Sequence, residues 1–494
     1  MRRNKKKKIS LLVCFICTIS LITNCSAYTF SNKEDNPKLK CVSYHIWDEN
    51  NSYNDHCLQT YFDPPDTIYI GGVQYHEDVF LMKVNKTKLS LDPLNCSVYK
   101  WGGNNSEDFG KFLFDSTGNL YITGTTRSFG AGSYDIFLTK YDPFGKSLWN
   151  RTWGYSGRDT AMFYEENRYR EADMALDSKD NIYVTGLTGS HPNTNLCIIK
   201  YNSTGTQLWN RTWGGINKTE YPHHILIDEN DYIYIAGDSV IEHFLLCYDK
   251  FGNLIWEKVW EVPFPYYGRS YMEYALLVGD HILFGESLKY ENSCDFVLRQ
   301  FNKSGIQLHN LTLSTLGSYV SFGEMIENSK NEVIFYGYYD EDYIPGSYSG
   351  GNLFIGRYDL QGNWSWLYGV DNSGDDYIYD ISLDSSDNIY FCGSKGQGSN
   401  QDMYMLKFSS EGKLIWDHAW GSEERDYAIS IIIDDQENIY VVGEIYLIDT
   451  IIAQFELISD TPNQDDWFIV IIVSIIAIVG IAVFLTTLIM YKKR

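Results

Sequence analysis

The chain is short of proline, of paired cysteines and, away from its ends, of clustered positive charge. Only 11 Pro occur in 494 residues, yet aromatics at 16% and hydrophobics at 44% supply ample core material, which excludes intrinsic disorder. Beyond residue 27 no two cysteines are spaced C-x-x-C, and the ten His contain no H-x-H or H-x-x-x-H pair, so zinc-ligand spacings are missing from the body of the chain. There is no G-x-S-x-G elbow. Gly-rich stretches such as Gly346 to Gly351 precede strand patterns instead of helices, so phosphate cradling has no support. A helical period of 3.6 is absent from the body of the chain.

Acid dominates what is present. The 40 Lys+Arg face 64 Asp+Glu, a formal charge of -24. Arg2, Arg3 and Lys5 to Lys8 crowd one end, and Lys492 to Arg494 the other. Without those nine, 31 basic residues remain against 64 acidic ones, near -33. Nucleic-acid binding relies on clustered Lys and Arg, so no nucleic-acid partner is expected.

The ends read as targeting segments. Ile9 to Ile22 is an apolar run after the basic cluster, and Cys25 and Ala27 are the small residues of a cut after Ala27, so residues 1–27 read as a signal peptide. A retained N-terminal anchor is the rival reading. Phe468 to Met490 has no charged residue and is long enough to cross a bilayer of about 30 Å. Trp467 and Tyr491 mark its interfaces, and the basic residues of 491–494 mark the cytoplasmic side. Residues 467–490 are therefore expected to be a transmembrane helix, after a short linker at 459–466, with the body outside the cell. Of the cysteines left after signal cleavage, Cys41 and Cys57 could form one bridge in that exterior. Cys197, in an apolar run, reads as a small core residue.

A repeat fills the body. Asp115-Ser-Thr-Gly-Asn-Leu-Tyr-Ile-Thr-Gly124 returns as Asp177-Ser-Lys-Asp-Asn-Ile-Tyr-Val-Thr-Gly186. It returns again at Asp384 to Gly393, Asp434 to Gly443, Asp228 to Gly237 and, loosely, Asp63 to Gly72; worn copies end at Gly285 and Gly337. The residues three before each final Gly are Tyr69, Tyr121, Tyr183, Tyr234, Ile282, Ile334, Tyr390 and Tyr440, spaced by 52, 62, 51, 48, 52, 56 and 50. Each copy reads as four short strands between Gly, Asp and Asn turns. Eight such copies predict an all-β, eight-bladed β-propeller over residues 39–458, with seven blades as the fallback if one worn copy is misread. The last copy lacks an outer strand, and Leu39 to Trp47 precedes the first copy without a partner. That segment is expected to supply the missing strand and close the ring. Trp149 and Trp153, four apart, recur as Trp209/Trp213, Trp256/Trp260 and Trp416/Trp420, which suits packing between blades better than stacking on a carbohydrate.

Three elements carry a family resemblance: Asp-x-x-Gly-Asn-Ile-Tyr-Val-Thr-Gly, Tyr-Asp-Ile-Phe-Leu-x-Lys-Tyr, and Gly-x-x-Leu-Trp-Asn-Arg-Thr-Trp-Gly-Gly. Over roughly Val42 to Phe455 the chain resembles SBBP-type β-propeller repeat proteins, most closely at Asp115 and Asp177; the copies around Ile282 and Ile334 lack the Tyr. The resemblance implies a prokaryotic exported or surface scaffold and no single activity. Asp142-x-x-Gly145-x-x-x-Trp149 also resembles the tryptophan-docking motif of pyrroloquinoline-quinone propellers. It repeats at Asn202-Gly205-Trp209, Asp249-Gly252-Trp256, Asp359-Gly362-Trp366 and Ser409-Gly412-Trp416, while His309 replaces one Trp. The adjacent Cys-Cys pair of those dehydrogenases is absent, which favours a shared folding solution over a shared cofactor.

No catalytic, cofactor-binding or metal site emerges. Asp177 to Asn181 and Asp384 to Asn388 place oxygens close together as a calcium loop would, but Asp, Asn and Gly are also what a tight turn requires. His223 and His224 are adjacent, and on a regular strand they face opposite ways. Sequons lie at Asn50, Asn85, Asn95, Asn104, Asn150, Asn202, Asn210, Asn217, Asn302, Asn310 and Asn363 and are glycan acceptors where exposed. The expectation is a cell-surface binding scaffold, not an enzyme, held to the membrane by one helix and recognising a glycan, protein or small ligand through its loops. A quinone-dependent dehydrogenase or a glycan-cleaving propeller is the alternative. The longest spacing inserts Arg158 to Arg170, with Glu165, Glu166 and Glu171 nearby, and is the candidate binding face.

Overall fold

The computed structural model describes residues 31–32, 39–47 and 55–457, apart from 75–77, 87–95, 166–167, 172, 191–192, 217, 264–269, 292, 315–318, 341–351, 371–375, 398–399, 423–424 and 446–448. The expected signal peptide, linker and membrane helix lie outside the described residues. Among the described residues no helix is long and apolar enough to cross a membrane.

The described structure is all-β, and consecutive stretches of chain fold into four-stranded antiparallel sheets. The second is typical: Glu107–Phe114, Leu120–Thr126, Asp135–Tyr141 and Ser147–Trp153 pair in chain order. Its two middle strands are buried throughout, because sheets cover both of their faces, whereas the outermost strand is largely exposed. The third sheet differs. Its first strand is split into Arg158–Thr160 and Met174–Leu176, both paired to Ile182–Ser190. The insertion between them is a hairpin of Met162–Glu165 with Arg168–Glu171. Elsewhere a single parallel contact, Cys294 with Tyr319, joins two consecutive four-stranded groups into one sheet.

The sheets form a ring, the β-propeller architecture. The first strand of each sheet touches the first strand of the next, and that of the last, Asp426–Ile433, touches Asp55–Asp63 of the first. Leu39–Trp47 pairs antiparallel with Asp449–Leu457 and becomes the outer strand of the last sheet, the closure expected from the sequence. Side-chain contacts seal the same junction. Cys57 N donates to Glu444 Oε1 at 3.1 Å, and Lys86 Nζ reaches Asp434 Oδ2 at 2.6 Å. Ile68, Ile70, Phe80 and Met82 share a core with Tyr440, Val442 and Ile452. Closure thereby hides edge backbone that would otherwise pair with other chains.

The repeat's final Gly has a steric cause. The first strand of most sheets carries a bulge beside it, which presses the strand onto its neighbour. A Cβ on Gly124 would lie 2.0 Å from the Asp108 carbonyl oxygen, and one on Gly443 would lie 2.2 Å from that of Tyr427. Only glycine fits this close approach.

Candidate functional site

The Asp turns are consumed by the fold. In the second sheet Asp115 Oδ1 accepts the backbone N–H groups of Thr117 (3.0 Å) and Asn119 (2.9 Å), and Oδ2 accepts the Asn119 amide and the Tyr121 hydroxyl. The Lys140 ammonium lies 2.9 Å from Oδ2 and 4.6 Å from the Tyr121 ring centroid, so it serves as counter-ion and cation–π partner together. Lys200 with Asp177 and Tyr183, and Lys407 with Asp384 and Tyr390, repeat the arrangement. These donors hold the Asp115, Asp177 and Asp384 carboxyls below their usual range against the opposing pull of burial. The turns need positive φ, which Gly118 supplies at 78° and Asp180 and Asp387 at 57° and 60°.

The Trp motif is likewise structural. Trp149 Nε1 donates to Ser203 O at 3.3 Å, and its ring lies against Gly205 of the next sheet, where a Cβ would meet it at 2.7 Å. Arg151 Nε donates to Gly205 O at 2.6 Å. Trp209 on Gly252, Trp256 on Gly305 and Trp366 on Gly412 dock in the same way, and His309 on Gly362 takes the place of the missing Trp.

A polar belt joins the first strands around the ring. Gln59 exchanges two hydrogen bonds with the Phe112 backbone. Lys111 is ion-paired with Asp173, whose Oδ2 accepts Ile225 N at 3.1 Å and lies 3.8 Å from His224 Nδ1. His224 packs on the Tyr274 ring at 4.7 Å between centroids. Tyr274 in turn hydrogen-bonds Glu324. Asp380 accepts Ser430 Oγ at 2.6 Å, and Ser430 meets Thr60 of the first sheet at 2.5 Å. Enclosure by the ring raises the Glu324 and Asp380 carboxyls, Glu324 further because Asp380 is close, and it pushes His224 down to about 4. His223 and His224 do part company, through a bulge at His223: His223 Nε2 faces Asp238 at 3.1 Å. Cys57 is a buried free thiol, so the bridge to Cys41 does not form. Among the described residues no three Asp, Glu, His or Cys side chains converge as metal ligands.

What the repeat does not use collects at one junction. Asn105, Ser106, Arg127 and Ser133 line an open polar groove of about 520 Å³ formed by loops of the second sheet. Tyr134 beside it is sandwiched by two guanidiniums, Arg127 Cζ at 4.5 Å and Arg158 Cζ at 4.7 Å from its ring centroid. Both arginines are exposed, and neither has a carboxylate within 4 Å among the described residues. Ser133 N to Gly157 O (3.1 Å) and Asp159 N to Tyr134 O (2.9 Å) fix the rim. Arg158 opens the insertion singled out in the sequence; the side chains of residues 162–171 lie outside those described. Arg127 and Ser133 carried no sequence signal, because they sit in a loop that does not repeat. Of the sequons, Asn104, Asn150, Asn310 and Asn363 are exposed, while Asn50, Asn95 and Asn217 lie outside the described residues.

No protein-family model matches the chain. No curated protein matches it in sequence. Solved structures are similar in fold. Sqt1 from Chaetomium thermophilum has 9% identity and a TM-score of 0.53, covering 87% of this chain and 100% of its own. An ulvan lyase of polysaccharide lyase family PL25 has 9% identity and a TM-score of 0.44, covering 82% and 95%. The β-propeller domain of the Trilobed protease from Pyrococcus furiosus has 10% identity and a TM-score of 0.39, covering 72% and 100%.

Proposed function

We propose that this is an exported recognition module: an eight-bladed propeller of the SBBP type, tethered to the cell membrane by residues 467–490, that binds an anionic glycan at the groove beside Tyr134. The carrying observation is the pair of arginines stacked on that ring with no acidic partner among the described residues, in a chain of charge -24. A planar guanidinium presents a donor fork that matches a carboxylate or sulfate. The hydroxyls of Ser106 and Ser133 and the Asn105 amide in the groove suit the hydroxyls of a sugar. A rigid ring that presents non-repeating loops is also an apt scaffold for recognition. The repeated polar residues, by contrast, are spent on holding one sheet to the next.

The test is calorimetric titration of the protein with uronate-bearing, sulfated and neutral oligosaccharides of equal length, for the wild type and Arg127→Ala/Arg158→Ala. The expected result is a preference for the anionic sugars that weakens with salt and falls at least about tenfold in the double variant. Equal binding of neutral and anionic sugars, or an unaffected variant, would sink the reading. Cleavage of the bound sugar would move the protein to the enzyme class.

A further inference from the structure

Next to Tyr134 lies a pair of carboxylates that the fold leaves uncompensated. Asp135 and Asp159, both 1% exposed, come from neighbouring sheets. Asp135 Oδ1 and Asp159 Oδ2 lie 2.1 and 3.0 Å from the point a Cβ of Gly154 would occupy. Asp159 is hydrogen-bonded, with Oδ2 accepting Tyr155 N at 2.7 Å and Oδ1 accepting the Thr188 hydroxyl. Asp135 Oδ2 accepts Gly132 N at 2.8 Å, but its Oδ1 is sealed from solvent and has no donor among the described residues. A bare carboxylate oxygen buried beside a second carboxylate is costly unless a cation or a proton lies between them.

Equivalent junctions show how the chain resolves the conflict elsewhere. At Gly214 the partner of Glu220 is Asn195, whose amide, turned about, can donate to Glu220 Oε2. In the fourth sheet Glu242, in the position equivalent to Asp135, has the Lys218 ammonium 2.5 Å away. At Gly154 neither a side-chain amide nor an ammonium faces the pair among the described residues. Gly421 lies in the same way between Asp402 Oδ1 (2.6 Å) and Asp426 Oδ2 (2.7 Å). The rim also supplies neutral oxygens: the carbonyls of Tyr155 and Gly157 lie 2.6 and 2.3 Å from the Cβ position of Gly132.

We propose that Asp135 and Asp159 hold a calcium ion at the Gly154 junction, which ties the second sheet to the third. Two carboxylates completed by water offer the oxygen ligands a hard divalent ion takes. The ion replaces the missing counter-charge, and the absence of a side chain at residue 154 is what lets the Asp135 carboxylate approach this junction. It is independent of what the groove binds.

The experiment compares wild type with Asp135→Asn, in which the new amide can donate to Asp159. Thermal unfolding is followed in EDTA and in millimolar calcium, and bound terbium is counted by luminescence sensitised through Trp153 and Tyr155, whose rings lie 5.5 Å apart. Wild type should gain about 3 °C at a hundredfold excess of calcium over its Kd. Asp135→Asn should bind one ion fewer and melt in EDTA no lower than wild type. A wild-type Tm indifferent to calcium, or an unchanged ion count in the variant, would overturn the proposal. So would a wild type that is stabilised by acidification alone, the mark of a shared proton.

Discussion

Gly205→Ala tests whether Trp docking holds neighbouring sheets together. The substitution acts twice. Residue 205 sits at φ 78°, a left-handed conformation that costs an alanine about 1 kcal/mol. The new methyl would also lie 2.7 Å from Trp149 Cδ2, well inside contact distance, so the indole must move. That displacement costs about 1–3 kcal/mol as overpacking, and about 1 kcal/mol more if the Trp149 bond to Ser203 O breaks. Gly279→Ala is the control, since φ is 55° there and nothing lies within 4 Å of its Cβ position. The expected losses are about 3–5 kcal/mol for Gly205→Ala and about 1 kcal/mol for Gly279→Ala, read by urea unfolding with matched m-values. Equal losses would refute the docking argument. Trp149→Leu in the Gly205→Ala background gives a second check: the two costs should be strongly non-additive, because the clash disappears with the indole.

Other outcomes follow from the same contacts. Lys200→Met leaves Asp177 buried without its cation and should cost about 3–5 kcal/mol in urea unfolding, against well under 1 kcal/mol for the exposed Lys146→Met. Glu324 has its carboxyl raised by burial, so its contribution is fully present at low pH and is lost as pH rises above the ordinary carboxylate range. Glu324→Gln should therefore raise Tm more at pH 8 than at pH 5; an equal gain at both would show that Glu324 is not protonated in the fold. Deleting residues 28–47 strips the outer strand from Asp449–Leu457 and should lower Tm and produce oligomers in size-exclusion chromatography through the bared edge. A monomer of unchanged Tm would place the closure elsewhere.

Much of the fold was legible in the sequence because it is encoded locally and repeatedly. The Asp turns, the strand ending in Gly and the outer Trp strand each recur about every fifty residues, and each forms hydrogen bonds that a short segment can close by itself. The need for an extra strand at Leu39 to Trp47 was legible for the same reason, by counting strands. The missed features are contacts between residues far apart in the chain. Lys140 could not be assigned to Asp115, because the pairing depends on how the third strand lies across the turn. His223 escapes simple alternation through a bulge set by packing against the next sheet. Cys57 looked available for a bridge until the closing junction buried it.

The sequence by itself thus determined a repeating all-β chain with acidic character and docking tryptophans, since periodicity and turn chemistry are properties of neighbours along the backbone. Only the tertiary structure decided that Arg127 and Arg158 flank Tyr134, and that Asp135 and Asp159 converge on Gly154. In each set the residues come from neighbouring sheets, more than twenty positions apart in the chain. Their proximity arises from the angle at which one sheet packs on the next, which no local pattern records.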